Sequence, residues 1–554
     1  MKKVFQILCF ILIPALFFVG CSFTGTYNRN ILLSDQGKTV VGTDYIEDDY
    51  DTDKEWSELT AEEITAQNPI NEPDPSYYSP KYVYKFLGED TLPICGYHQP
   101  KIKNLNAGRT SLETYVREFM ESGCNIVIET HLASSDVDQH DFLGYLEQYG
   151  GMAFMVTTQL ANAQGTIADE ARKFKLQYDE YAEYSSFAGI HVIDEPGWVS
   201  WQGDYNTPGT LGYGQQVLNA VYNSKLFFVN LLPYYSPAWA FPNGATSGGA
   251  GGGLEPSTDY NEYYSTYIAN VKPKVLCYDY YPLQGDFPGL KDSYYLQLAI
   301  INYYTNTYYK EYFGTESGIP FWNFIQIIGF GGTRAASYSE IIWQMNTALN
   351  FGSKGFAYFT YYSPDAPGHV VTGEGKRTEH YYDMQKANLY TQAFAKWMLN
   401  ADIDAMIQYS VTPNGEYIPN INATTNSKKV LVRDVNGNSM YTGMNMQKST
   451  YGMLDEISGN VPCLVSYMDY YSDNNNYDKF VTKADANKQD LLFVTNNTVD
   501  KSGDVTLTFD NEVSGSYVVA GKTFSFSGSS LTVNLGAGEA FAVLLDTSTY
   551  GARA

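Results

Sequence analysis

Phe187-Ala-Gly-Ile-His-Val-Ile-Asp-Glu-Pro196 is a short apolar run that delivers two adjacent carboxylates and is then stopped by a proline. Proline cannot donate to a strand ladder, so the run reads as a strand that finishes at its acids. A carboxyl fixed at a strand end is well placed to give a proton to an acetal oxygen. The competing reading is an Asp-Glu pair that caps the next helix or lies in a solvated turn. The surrounding sequence weighs on the side of a site.

Extended apolar runs of the same kind alternate with helical patterns on both sides. Strands are expected at Leu92–Tyr97, Asn125–Thr130, Met152–Thr158, Ala188–Ile193, Leu226–Leu232, Val275–Tyr280, Pro320–Gln326 and Gly355–Thr360. The first helix shows the logic. Ser111 caps it, Glu113 and Glu118 suit its amino-terminal half, and Leu112, Tyr115, Val116, Phe119 and Met120 form an inward stripe before Gly123 ends it. Further helices are expected near Asp141–Tyr149, Ala168–Tyr184, Tyr213–Tyr222, Tyr260–Val271, Ser293–Tyr312, Tyr338–Asn350 and Tyr381–Leu399. Eight βα units over residues 81–400 match an α/β, (β/α)8 TIM barrel with enlarged loops, a fold of commonly ~250 and up to ~400 residues. The glycine-rich Ser247–Gly253 lacks the ending of a phosphate loop and reads as a flexible lid or a spacer.

Beyond Asn400 the helical period fades, and alternating runs such as Val505–Phe509, Leu531–Leu535 and Phe541–Leu545 take over. Short strands with Gly and Asn turns predict a C-terminal β-sandwich over residues 401–554. Its expected role is to pack on the barrel, with sugar binding the alternative.

At the other end, Met1-Lys-Lys opens an almost wholly apolar stretch that stops at Gly20-Cys21, the order of a secretory signal in residues 1–21. Phe18-Val-Gly-Cys21 resembles the bacterial lipobox, with Phe18 where leucine is usual. That resemblance makes Cys21 the lipidated first residue of an extracytoplasmic protein held to the cell membrane by its acyl chains alone. Residues 22–80 carry Glu47, Asp48, Asp49, Asp51, Asp53, Glu55, Glu58, Glu62 and Glu63, then several prolines, and read as an acidic tether.

A formal net charge of −26 repels phosphate backbones, so nucleic acid is excluded as a partner class and neutral or basic ligands fit better. Cys95, Cys124, Cys277 and Cys463 are scattered and read as buried thiols, with a Cys95–Cys124 bridge as the alternative. No His, Asp or Glu cluster has metal spacing, so neither metal nor cofactor is expected. The 50 tyrosines, 29 phenylalanines and 7 tryptophans supply flat faces and hydroxyls suited to sugar rings, although most must serve the core.

In such a barrel the carboxyl ends of the strands carry the chemistry. Read in order they give Tyr97-His98-Gln99, Glu129-Thr-His131, Thr158-Gln159, Asp194-Glu195, Asn230, Tyr278-Asp279-Tyr-Tyr281, Gln326 and Tyr361-Tyr362. Trp198, Trp201 and Trp239 stand in loops that would frame a sugar. His191, four residues before Glu195, reads as an interior histidine beneath the site.

A Glu closing the fourth strand, Tyr278-Asp-Tyr-Tyr-Pro282 closing the sixth and a trailing β-domain resemble bacterial (β/α)8 glycoside hydrolases over most of Leu92–Leu545. The resemblance implies a carbohydrate substrate and Glu195 as general acid/base. The sequence departs from the large retaining clan twice, with Asp194 in place of its Asn and Gln326 in place of its nucleophilic Glu. The adjacent Asp-Glu is similar to β-N-acetylhexosaminidases, in which the Asp orients the substrate's acetamide as nucleophile. Asp279 is the other candidate for a second carboxylate, at ~5–5.5 Å for retention or ~6.5–9.5 Å for inversion. Proton donation by Glu195 would call for a raised pKa through burial and neighbouring negative charge. A non-catalytic glycan-binding barrel is the rival reading.

Overall fold

The computed structural model describes residues 81–546 apart from 89, 129–135, 234–235, 237–257, 284–286, 316–317, 332, 364–365, 410–430, 434–438, 442–444, 448–451 and 472–487. The proposed signal, Cys21, the tether, Glu129, His131, Trp239 and the Ser247–Gly253 loop therefore lie outside the described residues.

Eight parallel strands close into a ring in chain order: β1 Ile94–Tyr97, β2 Ile126–Ile128, β3 Met152–Val156, β4 Phe187–Asp194, β5 Leu226–Leu231, β6 Leu276–Tyr278, β7 Phe321–Gln326 and β8 Gly355–Phe359, with β8 pairing back to β1. This is the TIM barrel that the alternation of patterns predicts. The helix expected after the first strand runs Leu112–Glu121, preceded by short helices at Lys81–Leu87 and Ile102–Ala107, with the Ser111 hydroxyl accepting from the Thr114 N–H and with Tyr115, Val116, Phe119 and Met120 buried. The expected long helix near Ser293–Tyr312 is instead three segments, α-helical Phe287–Asn302, a π-helical turn Tyr303–Tyr308 and α-helical Tyr309–Phe313.

Aromatic rings fill much of the barrel interior. Phe154 and Phe228 stack at 4.7 Å, Trp322 lies 5.8 Å from Phe228, and Tyr97 meets Phe324 edge-on at 5.5 Å nearer the carboxyl ends. The tyrosine and phenylalanine excess is thus largely a packing device. Cys95, Cys124, Cys277 and Cys463 are free, buried thiols, so there is no Cys95–Cys124 bridge.

The deciding stretch is irregular where it matters. Gly189 has φ +145°, and a Cβ there would stand 2.1 Å from the Leu226 carbonyl oxygen, so only glycine lets β4 approach β5 so closely. The β4–β5 register then slips between His191 and Ile193, which brings Asp194 opposite Asn230. Such bulges re-aim side chains at strand ends.

The C-terminal module is one eight-stranded sheet in the order β12-β9-β14-β15-β18-β16-β13, with β17 added to β16, and a separate two-stranded pair. Its strands are β9 Ala401–Tyr409, β10 Leu431–Arg433, β11 Ser439–Tyr441, β12 Asn445–Gln447, β13 Leu454–Gly459, β14 Cys463–Tyr471, β15 Lys488–Asn496, β16 Gly503–Val519, β17 Lys522–Leu535 and β18 Ala540–Leu545. One face carries Met406, Leu464, Met468, Leu491 and Phe493 into the same core as the barrel, while the other holds a second core around Val465, Val494, Leu507 and Phe541. The seam is also hydrogen-bonded. Trp343 Nε1 and the Tyr295 hydroxyl both donate to Asn497 Oδ1, the Ser466 hydroxyl donates to the Asn350 carbonyl, and Asn346 Nδ2 donates to the Gly538 carbonyl. Among the described residues no helix is long and apolar enough to cross a membrane.

Candidate active site

Asp194 and Glu195 are exposed at the carboxyl end of the barrel, and the backbone beneath them is tightly held. The Glu195 N–H donates to the Asn230 carbonyl at 2.9 Å, while Asn230 Nδ2 donates to Asp194 Oδ1 at 2.9 Å. From the facing strand, the Tyr97 hydroxyl donates to Asp194 Oδ2 at 3.0 Å. Each Asp194 oxygen therefore has one protein donor and keeps acceptor capacity for a ligand.

Glu195 sits at φ 46° and His98 at φ 58°, left-handed conformations that are costly for residues with a Cβ. Strain of this kind persists only where surrounding contacts enforce it, and it gathers at functional sites. The enforcing contacts here are on the loop after Glu195. The Tyr263 hydroxyl donates to the Pro196 carbonyl and accepts from the Leu232 N–H, and Asn270 Nδ2 donates to the carbonyls of Trp201 and Gly203. Tyr263 and Asn270 belong to the helix Thr258–Val271. Sequence periodicity marks that helix but not its role as a clamp.

Asp279 completes the cluster from the end of β6 and is 2% exposed. Its backbone N–H donates to the Leu231 carbonyl at 3.3 Å, next along β5 from the Asn230 carbonyl that holds Glu195, and its Oδ1 is buried without a hydrogen-bond partner. Burial first, then the charge and contact of Glu195 and the charge of Asp194, push the Asp279 carboxyl well above the usual carboxylate range, and the Tyr281 hydrogen bond only partly offsets this. The same three carboxylates act together with burial to raise the Tyr97 hydroxyl. Tyr97 is therefore the phenol around which the acids gather, a role that no local pattern in Tyr97-His-Gln99 announces. Its ring carries the half-buried His98 at 4.1 Å, nearly parallel. Beneath it, burial pulls His191 down to about 4, against the partial support of Asp194, so the ring is neutral at physiological pH.

Four expected ligand contacts are corrected. Gln326 is wholly buried, its Oε1 accepting from the Leu283 N–H and its Nε2 donating to the Arg334 and Ile328 carbonyls, so its amide braces two loops and burial keeps it from a sugar. Trp201 is 1% exposed, packed edge-on against Tyr263 and Tyr267 with Nε1 on the Thr266 hydroxyl. Tyr278 is sealed against Phe321, and Tyr361 lies beneath Phe119 and Tyr115. In each case the aromatic face is spent on the core. Trp198 remains half-buried beside the acids, followed by Val199 at 61% exposure, so this loop does offer an apolar surface next to Glu195.

No family model matches the chain, and no curated protein matches it in sequence. Among solved structures it is similar to a catalytic mutant of a GH42 β-galactosidase from G. stearothermophilus, with 10% identity, 82% of this chain and 98% of that one covered, and a TM-score of 0.49. A β-galactosidase from Bacillus circulans sp. alkalophilus gives 10% identity, coverage of 82% and 99%, and a TM-score of 0.42. A glycoside hydrolase family 5 protein from Bacteroides vulgatus gives 9%, 83% and 90%, and 0.40. The barrel fold rests on the closed ring of strands, and the activity is argued from the residues at its mouth.

Proposed function

We propose that this protein is a cell-surface glycoside hydrolase, exported and lipid-anchored through Cys21, that cleaves glycosidic bonds in a polysaccharide or glycoconjugate. The observation that carries the reading is the exposed, strained Glu195, fixed at a barrel strand end beside a second carboxylate that is itself held by Tyr97 and Asn230. Glu195 is the general acid/base. Asp194, with a free lone pair on each oxygen, orients the substituent at C2 of the sugar and, where that substituent is an acetamide, lets it act as nucleophile. Trp198 and Val199 receive an apolar sugar face, and His98 and Asn230 border the same mouth.

The deciding experiment assays wild type and Glu195→Gln on chromogenic N-acetylhexosaminides, galactosides, glucosides, mannosides and xylosides, then on natural polymers. Turnover lost in the variant supports the reading, and restriction to N-acetylated sugars supports substrate assistance. Absence of turnover on every substrate overturns it. A second reading, a glycan-binding barrel without turnover, is favoured by one observation: Gln326 is consumed by backbone partners, leaving no carboxylate at the end of β7. Glycan binding unchanged in Glu195→Gln would select it.

A further inference from the structure

We propose that Asn230 is a positioning residue, rather than a sugar contact, that fixes Asp194 and Glu195 relative to one another from β5. The inference rests on the reading of Asp194 as the group that holds the C2 substituent. It starts from the period of β4. His191 faces the barrel interior, where its ring meets Tyr97 at 5.9 Å and Phe228 at 5.7 Å. Side chains alternate along a strand, so in a regular β4 Asp194, three residues on, would point outwards to the helix layer. The register slip between His191 and Ile193 returns it to the interior. In an unslipped ladder, with His191 opposite Phe228, Asp194 would stand opposite Leu231. It pairs instead with Asn230, which lies two residues beyond Phe228 and shares its inward face.

Asn230 then meets both acids, by different atoms. Its carbonyl accepts the Glu195 N–H at 2.9 Å, and its Nδ2 donates to Asp194 Oδ1 at 2.9 Å. The Tyr97 hydroxyl takes the other Asp194 oxygen at 3.0 Å, so the carboxylate is held at both ends and cannot turn without losing a donor. Asn230 itself is 3% exposed, too deep to be a surface for a sugar, and its Oδ1 is buried without a hydrogen-bond partner. Turning the amide over would set that oxygen against a carboxylate, which only accepts, so the bond to Asp194 decides which end stays unsatisfied. A buried acceptor left unpaired is destabilising, and a leucine of similar size would avoid it. A side chain that costs stability and serves Asp194 belongs to the site and not to the core.

The test compares the full chain as wild type, Asn230→Leu and Asn230→Asp. It measures kcat and KM on chromogenic glycosides paired with their 2-deoxy counterparts, together with thermal melting and crystal structures of the same proteins. Asn230→Leu should lower kcat/KM about 10-fold to 100-fold on the glycoside that carries the C2 substituent, the worth of a hydrogen bond to a charged group, and far less on the 2-deoxy partner. Its melting temperature should be unchanged or higher, because the unpaired buried oxygen is gone. Asn230→Asp keeps the shape but puts an acceptor where the donor was, so it should lose more activity than Asn230→Leu. In both variants the Asp194 carboxylate should leave its wild-type rotamer, while the Glu195 backbone, held by a main-chain carbonyl, stays in place. Equal losses on the two glycosides, an Asn230→Asp variant as active as wild type, or an Asp194 unmoved in either variant would overturn the proposal. The structural and melting arms need no turnover, so they fail or succeed separately from the glycosidase reading.

Discussion

The ends of β4 and β7 occupy equivalent places at the mouth of the same barrel, yet they have opposite fates. At β4 two acids are exposed on a strained backbone, with acceptor capacity to spare. At β7 the side chain of Gln326 is fully buried, and its amide bonds three backbone groups. A strand-end position is therefore an opportunity for chemistry and no more. What separates a reactive end from a structural one is whether its polar atoms are already satisfied by the protein.

The contrast can be broken most directly at Glu195. Replacing it with Gln should lower kcat/KM ~10²–10⁴-fold on any glycoside the wild type hydrolyses, with an unchanged melting temperature. An unaltered rate would put β4 in the same class as β7. The converse substitution, Gln326→Glu, should leave no new nucleophile and should cost about 3 kcal/mol or more, because a carboxylate cannot donate to the Arg334 and Ile328 carbonyls and would be buried as a charge. Urea unfolding measures this, and a stable variant with raised activity would overturn the structural role of that position.

The β4 side should also carry an acid sensitivity that β7 lacks. His191 has its pKa lowered to about 4 from 6.5, so the unfolded chain binds the proton more tightly. Stability should then be intact above pH 6.5 and fall as the pH drops towards 4, by about 3 kcal/mol in all, and His191→Gln should flatten that slope. A smaller effect is expected at Tyr97. Tyr97→Phe removes one of two donors to Asp194 and should reduce kcat/KM about tenfold, the worth of a hydrogen bond to a charged group. A loss confined to stability would make Tyr97 a core residue only.

Much of the fold was legible because it depends on periodicity. All eight strands and the helix Tyr338–Asn350 lie where alternation and the 3.6-residue stripe place them. The Asp194-Glu195 pair was legible for the same reason, as the residues that end a run. What could not be read is everything that depends on distant partners. Tyr97 reaches Asp194 across 97 positions, and Glu195 and Asp279 become neighbours only because β5 lies between their strands and its consecutive carbonyls, Asn230 and Leu231, take their N–H groups. The aromatic positions misled for a related reason. Trp201, Tyr278 and Tyr361 look like platforms in a loop or at a strand end, but in a chain with so many rings, local sequence does not distinguish a ring on the surface from one under it. The raised carboxyl also proved to be Asp279, since burial, which sequence does not report, outweighs adjacency.

The seam between barrel and sheet limits how this protein can have evolved. Asn346, Asn350 and Trp343 lie on the helix Tyr338–Asn350, and their partners lie on β14, on and just after β15, and in the turn before β18. A recombination event that replaced either half alone would strand several buried donors and one face of a shared apolar layer. The two halves are therefore one folding unit across the seam, and a substitution on one side is felt by the packing of the other.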